Sequence, residues 1–296
     1  MSGVHHLQLE TEAIPLKAGK AIHLGIETKY KGGSDEECLR VFDEDYRDFS
    51  DRVVYEDNPR NWENLRQIFQ IWLKRFPNHP YAIPNPDFVE IGFSLELTPW
   101  LTIVGKPDAL VKYNGSWWVL DTKTTGKFDH KFRDKWNHSG QISCYIYALG
   151  QHLKAIGDPT PVVGAIINAI EIKDIPKSGG VCRSTPKHLH PNGEAMKFSE
   201  CGPEHITTEL ILANRTPSQL EDWKNGVINE AWEFLKAKTK WPNLSDIPNV
   251  PANGIMNDAC GLCKYRQWCF GGKDPRMLNV MFTEDKWEPF PGALYV

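Results

Sequence analysis

The residues best suited to chemistry lie in one stretch, GKPDALVKYNGSWWVLDTKTTGK, residues 105–127. Two apolar runs are joined by Asn114-Gly115, and each carries an aspartate at the end remote from that junction, Asp108 and Asp121. Lys123 stands two residues beyond the second. Asn-Gly between alternating runs predicts a hairpin with a two-residue type I′ turn. That turn pairs Tyr113 with Ser116, Val111 with Trp118 and Leu110 with Val119, and sets Asp108 directly opposite Asp121. Opposed residues hold their Cβ atoms about 4.5–5.5 Å apart on one face, and alternation puts Lys123 on the face of Asp121. Two facing carboxylates repel unless something positive lies between them, and a divalent cation with oxygen ligands meets that demand. A lysine beside it can orient an attacking water or stabilise negative charge developing on a phosphate. The competing reading is a surface hairpin whose charged ends happen to align.

Acid-x-Lys alone is unspecific, since it recurs at Glu27–Lys29, Asp129–Lys131, Glu171–Lys173, Asp222–Lys224 and Glu284–Lys286. The copy at Asp121 is singled out because it ends a predicted strand opposite another acid. Glu90, in the alternating run DFVEIGFSLEL, can add a third carboxylate or be a solvated strand residue. His23 follows an apolar pair in a predicted helix and is either a ligand or a packing residue. Gln141 and Tyr145, four apart in QISCYIYALG, share a helical face beside the stripe Ile142, Ile146 and Leu149. Between hairpin and helix, KTTGKFDHKFRDKW supplies Lys127, Lys131, Arg133 and Lys135 with Phe128, Phe132 and Trp136. Basic groups there would hold phosphates and rings would stack on bases, unless the segment is simply a solvated loop.

The elements that must position these groups follow from periodicity. Helices are predicted over 19–30 and 60–76, the second with Leu65, Ile68, Phe69, Trp72 and Leu73 at helical spacing. A proline-rich loop, PNHPYAIPNP, then gives way to strand-like segments DFVEIGFSLEL, LTIVG, PDALVKY and SWWVLDTK. A helix over 139–153, a buried strand PVVGAIINAIEI and a strand EHITTELIL come next, followed by a long helix from Thr216 to about Lys238 with Pro217 in its first turn. Residues 173–203 read as an insertion, poor in apolar residues and punctuated by Gly and Pro. The order indicates one α/β or α+β domain over residues 1–296, built on a decorated sheet. A formal charge of −4 argues against a uniformly basic nucleic-acid coat but leaves room for a local basic channel. No run of eighteen apolar residues is present, so no membrane partner is expected, and MSGVHHLQLETEA lacks the pattern of a secretory signal. A cytoplasmic protein with thiols rather than disulfides is expected from its seven cysteines.

In order along the chain, His23 in GKAIHLGIE, Glu90, Asp108 in GKPD, Asp121-x-Lys123 in DTK and Gln141-x-x-x-Tyr145 resemble the motifs of the PD-(D/E)XK nucleases. More narrowly they resemble the RecB-like branch, with its phage-encoded and CRISPR-associated exonucleases, over roughly residues 16–270. The resemblance implies an α/β fold with a restriction-endonuclease-like core, a central mixed sheet flanked by helices and a C-terminal cysteine-cluster region. It implies that His23, Asp108, Asp121 and the Thr122 carbonyl hold Mg²⁺ or Mn²⁺, that Glu90 assists the metal or its water, and that Lys123 positions the attacking water. Gln141 and Tyr145 would touch DNA near the scissile phosphate, with Lys127, Lys131 and Arg133 as further DNA contacts. The implied activity is a metal-dependent DNA exonuclease acting on single strands or free ends in recombination, repair or phage DNA metabolism. Its setting would be a bacterial or phage-infected cell, with recombination or CRISPR-adaptation proteins as partners. The alternatives are a catalytically silent DNA-binding adaptor and a structure-specific endonuclease on the same fold.

Cys260-x2-Cys263-x5-Cys269 is a metal-site spacing, but three thiols complete neither a tetrahedral zinc nor a four-cysteine cluster. RecB-like relatives with a [4Fe–4S] cluster use such a C-terminal set, over 255–272 here, packed on the N-terminal helical region. Their fourth cysteine precedes the histidine motif, where this sequence has none. An earlier natural start, or an incomplete and oxygen-labile cluster, is therefore expected, with Cys38 the nearest substitute ligand and Cys182 and Cys201 further candidates. A separate zinc site from Cys182, His188, His190 and Cys201 matches no defensible spacing, and Cys144 reads as packing.

Overall fold

The structure, a computed structural model, describes residues 7–9, 13–175, 194, 208–240, 274–277, 280, 282–284 and 294–295. The chain divides into two compact units, and every residue of the candidate site lies in the larger one, Ala13–Glu96, Thr102–Trp223 and Gly292–Val296. The smaller unit, Met1–Glu12, Leu97–Leu101 and Lys224–Pro291, contains a ladder of β1 (Leu7–Leu9) with β8 (Phe282–Glu284). It also contains a tilted pair of half-exposed rings, Trp100 and Trp232, 4.7 Å apart.

Three helices open the larger unit. In α1 (Ile14–Tyr30), Pro15 occupies the first turn, and Ala18, Ala21, Ile22, Gly25, Ile26 and Tyr30 form the buried stripe. The sequence places this start five residues later because Lys17, Gly19 and Lys20 interrupt the apolar pattern. Helix α2 (Asp35–Val53) was not expected from periodicity, its mean composition being strongly charged. A capping box starts it: Ser34 N donates to Glu37 Oε2 at 2.8 Å, and Glu37 N donates back to Ser34 Oγ. Cys38, Phe42, Tyr46 and Ser50, spaced four apart, are its narrow buried seam. Helix α3 (Trp62–Arg75) is capped by the Asn61 side chain and buries the expected Leu65, Ile68, Phe69, Trp72 and Leu73.

These three helices share one core with the sheet, in which Phe69 and Trp72 stack and Phe42 tilts against Phe69. Gly25 marks the closest approach of α1 to α3. A methyl there would lie 2.5 Å from Phe69 Cε1 and 3.2 Å from the Cys38 carbonyl. Gly25→Ala gains about 1 kcal/mol of helix propensity, while overpacking a fully buried ring costs about 1–3 kcal/mol. The variant is therefore expected to unfold at lower denaturant, and an unchanged or higher midpoint would show that the ring yields freely.

The main sheet has the order β4-β5-β6-β7. Strand β4 (Ala109–Tyr113) pairs antiparallel with β5 (Ser116–Thr125), β5 pairs parallel with β6 (Val162–Glu171), and β6 pairs antiparallel with β7 (Thr208–Asn214). The hairpin register is the expected one, with Leu110 on Val119, Val111 on Trp118 and Tyr113 on Ser116. Asn114 and Gly115 take φ of 48° and 77°, the pair of left-handed residues a type I′ turn requires. Trp117–Leu120 of β5 and most of β6 are apolar and buried on both faces, as a parallel pair covered on both sides requires. The crossover between them holds the short α4 (His130–Asp134), a 3-10 turn Lys135–His138, and α5 (Gly140–Ala155), which starts on the Ser139 cap. A second sheet has the order β3-β2-β9, from β2 (Phe93–Thr98), β3 (Leu101–Gly105) and β9 (Leu294–Tyr295). After β7, α6 (Pro217–Lys240) is the long helix the proline predicted. The expected mixed sheet flanked by helices is present. Most of the proposed insertion 173–203, and the whole cysteine motif 255–272, lie outside the described residues.

Candidate active site

The hairpin ladder ends at Ala109 opposite Leu120; Asp108 stands just before Ala109, and Asp121 follows Leu120 on β5. Both are buried, at 8% and 2% exposure, which decides against a surface hairpin with charged ends. Asp108 Oδ2 accepts the Thr122 backbone N–H at 2.6 Å, so a carboxylate substitutes for a carbonyl where the ladder stops. Its Oδ1 lies 3.2 Å from His23 Nδ1, which brings α1 to the hairpin. Burial alone would raise the Asp108 pKa, but the His23 charge and its hydrogen bond, with the Thr122 N–H, hold it below the usual range. Burial likewise pulls the imidazole down, and Asp108 more than compensates, leaving His23 raised.

Asp121 is placed differently. Lys123 Nζ pairs with its Oδ2 at 2.6 Å, an ion pair whose angles are poor for a hydrogen bond. Burial pushes its pKa up to about 6, Lys123 opposing and Asp108 adding to the rise. A buried carboxylate oxygen ion-paired to Lys123, the Asp108 carboxylate and the His23 imidazole are O and N donors of the kind Mg²⁺ or Mn²⁺ takes. Among the described residues, no three His, Cys, Asp or Glu side chains are grouped as a metal cage. Here each aspartate is met by a base instead, Asp108 by His23 and Asp121 by Lys123.

Glu90 is not the mid-strand residue that alternation implied. Val89 bridges to Ala109, β2 begins only at Phe93, and Glu90 sits in the turn between with φ of 56°. A left-handed glutamate is costly, and such strain collects at functional sites. Its N–H donates to the Asp108 carbonyl at 2.7 Å and its carboxylate pairs with Lys106, two residues before Asp108. Burial raises the Glu90 pKa against the pull of Lys106. The charge of Glu27 also bears on both Glu90 and Lys106. Glu27 was missed by sequence reasoning, although its place four residues beyond His23 on α1 was a usable signal.

Tyr145 is buried beside the 106–108 segment and Gln141, exposed, caps its hydroxyl. Gln141 Nε2 donates to the Tyr145 hydroxyl at 3.0 Å, and that hydroxyl donates to the Lys106 carbonyl at 3.3 Å. Tyr145 is buried, and burial with the nearby Asp121 charge raises its pKa. Arg133, expected on DNA, forks onto Glu209 of β7 at 2.7–3.0 Å. Phe132 and Trp136 are buried edge-to-face and so not open to bases, while Lys135 Nζ lies 4.3 Å from each ring. Lys127 and Lys131 stay exposed.

Cys38 is a core residue of α2 at 0% exposure, its thiol pushed up to about 11 chiefly by burial. Its reading as a substitute cluster ligand depends on cysteines that lie outside the described residues. Cys144 is half-buried on α5 with its thiol pushed up to about 12, as packing would have it. Cys182, Cys201, Cys260, Cys263 and Cys269 lie outside the described residues.

A sequence model of the PD-(D/E)XK nuclease superfamily matches residues 4–270, nine-tenths of the chain. The chain belongs to that superfamily. Within this PD-(D/E)XK chain, Asp108 in GKPD stands just before one strand of the hairpin, and Asp121, Thr122 and Lys123 lie on the other. PD-(D/E)XK nucleases generally use Mg²⁺ or Mn²⁺. A comparison with curated proteins gave no match. No described helix is long and apolar enough to cross a membrane.

Proposed function

We propose that the protein is a Mg²⁺- or Mn²⁺-dependent DNA exonuclease of RecB-like character, acting on DNA ends in recombination, repair or phage DNA metabolism. The observation that carries this reading is the buried pair Asp108 and Asp121 with Lys123 ion-paired to Asp121, in a chain of the nuclease superfamily. Asp108, Asp121 and His23 would hold the cation, with the Thr122 carbonyl as a further ligand. When bound, the cation supplies charge neutralisation at the phosphate and acidifies the attacking water. Lys123, a quarter exposed, orients that water and faces the phosphate with its ammonium. Glu90 with Lys106, and Tyr145 with Gln141, hold the 106–108 segment, so that Asp108 keeps its place. Lys127, Lys131 and Lys135 line the chain leaving Lys123 and attract the DNA backbone. Cys260, Cys263 and Cys269 are assigned to a structural metal or iron–sulfur centre on their spacing.

The test is nucleotide release from end-labelled linear single-stranded DNA with Mn²⁺, with circular DNA as a second substrate. Wild type should degrade the linear form and spare the circle, and Lys123→Ala should be slower by about 10²-fold or more. Cutting of the circle would make the protein an endonuclease. DNA binding without any hydrolysis would make it an adaptor.

A further inference from the structure

The last seven residues of β6 are otherwise buried and apolar up to its terminal Glu171, with one exception: Asn168, at 0% exposure. An apolar residue would be the stabilising choice there, since a buried amide must recover every hydrogen bond it loses to water. Asn168 lies directly across the parallel ladder from Thr122, the residue between Asp121 and Lys123. Its Nδ2 is 3.3 Å from Thr122 Oγ1 and 3.3 Å from the Tyr30 hydroxyl, and its Oδ1 is 3.4 Å from Trp72 Nε1. An indole N–H only donates, so Oδ1 must face Trp72 and the amide nitrogen must donate to Thr122 and Tyr30. The opposite amide orientation would set two donors against each other.

The chain of contacts continues outward. The Tyr30 hydroxyl lies 3.2 Å from that of Tyr81, which lies 2.7 Å from His79 Nδ1. With Asn168 donating to Tyr30, the Tyr30 proton goes to Tyr81 and the Tyr81 proton to His79, whose Nδ1 accepts while the ring is neutral. Burial lowers His79 to about 4, which keeps it so at neutral pH. Donors and acceptors therefore run in one direction from α3, through β6 and the end of α1, to His79. Thr122 is the point where this network meets the site, because its own backbone N–H holds Asp108. Tyr30 is also the last residue of the helix that delivers His23.

We propose that Asn168 and Tyr30 are positioning residues of the hydrolytic site, fixing Thr122 and thereby the Asp108 carboxylate relative to His23. The proposal rests on the nuclease reading for its consequence but not for its geometry. It is tested by Tyr30→Phe, which removes one oxygen and keeps the ring, and by Asn168→Leu. Each is followed by steady-state kinetics on linear DNA, by calorimetric Mn²⁺ binding without DNA, and by thermal melting. Tyr30→Phe is expected to lower kcat about five- to tenfold with KM for DNA unchanged, and to weaken Mn²⁺ binding several-fold. Asn168→Leu should do the same more strongly whether its melting temperature rises or falls. Variants that match wild type in kcat and Mn²⁺ affinity, whatever their melting temperatures, would overturn the proposal and leave a merely structural network. A wild type that binds Mn²⁺ but cuts no DNA would refute the nuclease reading instead, and the Mn²⁺ measurements would then decide the positioning role alone.

Discussion

Asp121→Asn is expected to lose at least about 10³-fold in DNA hydrolysis and yet to give a metal-free protein more stable than wild type at pH 8. The activity follows from the loss of a charged ligand beside Lys123. The stability follows from burial, which lifts the Asp121 pKa from 3.8 to about 6 despite Lys123. A carboxyl whose folded pKa is raised contributes stability that is fully present below its unfolded pKa and lost as pH climbs through the folded one. Across about pH 4–6 the wild type therefore surrenders on the order of 2–3 kcal/mol, which the neutral amide retains. Melting in chelator at pH 8 should favour the variant by several degrees, and the advantage should vanish near pH 4. A variant that melts below wild type at pH 8 would show that the Lys123 ion pair outweighs the desolvation of its partner.

Its neighbour should behave in the opposite way. Asp108→Ala abolishes hydrolysis too, but is expected to cost about 3 kcal/mol of metal-free stability, read as a lower urea midpoint. Asp108 is held below its usual range by His23 and by the Thr122 N–H, so its ionised form is one the fold favours. That contribution is present above the unfolded pKa and fades only as pH falls through the lower, folded one. Removing the side chain strands a buried N–H and leaves His23 without its partner. Two acids of one hairpin thus carry opposite signs in stability, and an equal effect of the two substitutions would refute the distinction.

The hairpin register that carries those acids was legible because Asn-Gly admits few turns, and the turn sets the register. The long helix after Thr216 and the buried strand β6 were legible for similar local reasons, a proline in a first turn and an unbroken apolar run. Helix α2 was not, since only every fourth residue is buried and charge dominates the rest, although Ser34-x-x-Glu37 announced its start. Glu90 misled because alternation continues through a residue whose backbone has turned left-handed, a conformation that side-chain type does not reveal. For Arg133 and Tyr145 the sequence showed residue types but not partners: Glu209 and the Lys106 carbonyl, 76 and 39 residues away in sequence, meet their polar groups. Such pairing is decided by tertiary neighbours and leaves no trace in spacing. Asn168 could have been noticed as an amide inside an apolar strand, but its partners Tyr30 and Trp72 belong to helices far upstream.

The mixed pairing of β5 sets a timetable for the site. Its antiparallel partner is two turn residues away, so the hairpin can close within about 1–10 μs of being free to do so. Its parallel partner must wait for the whole crossover from Gly126 to Pro161 to be made and docked. At about 5–20 residues per second of synthesis, that wait lasts a few seconds. For that interval the two aspartates are neighbours on a solvated hairpin, with ordinary acidities and no amide from β6 to steady Thr122. Hydrolytic competence should therefore mature with the arrival of β6 and not with the closing of the hairpin, so that a nascent chain carries its reactive groups together well before it can use them.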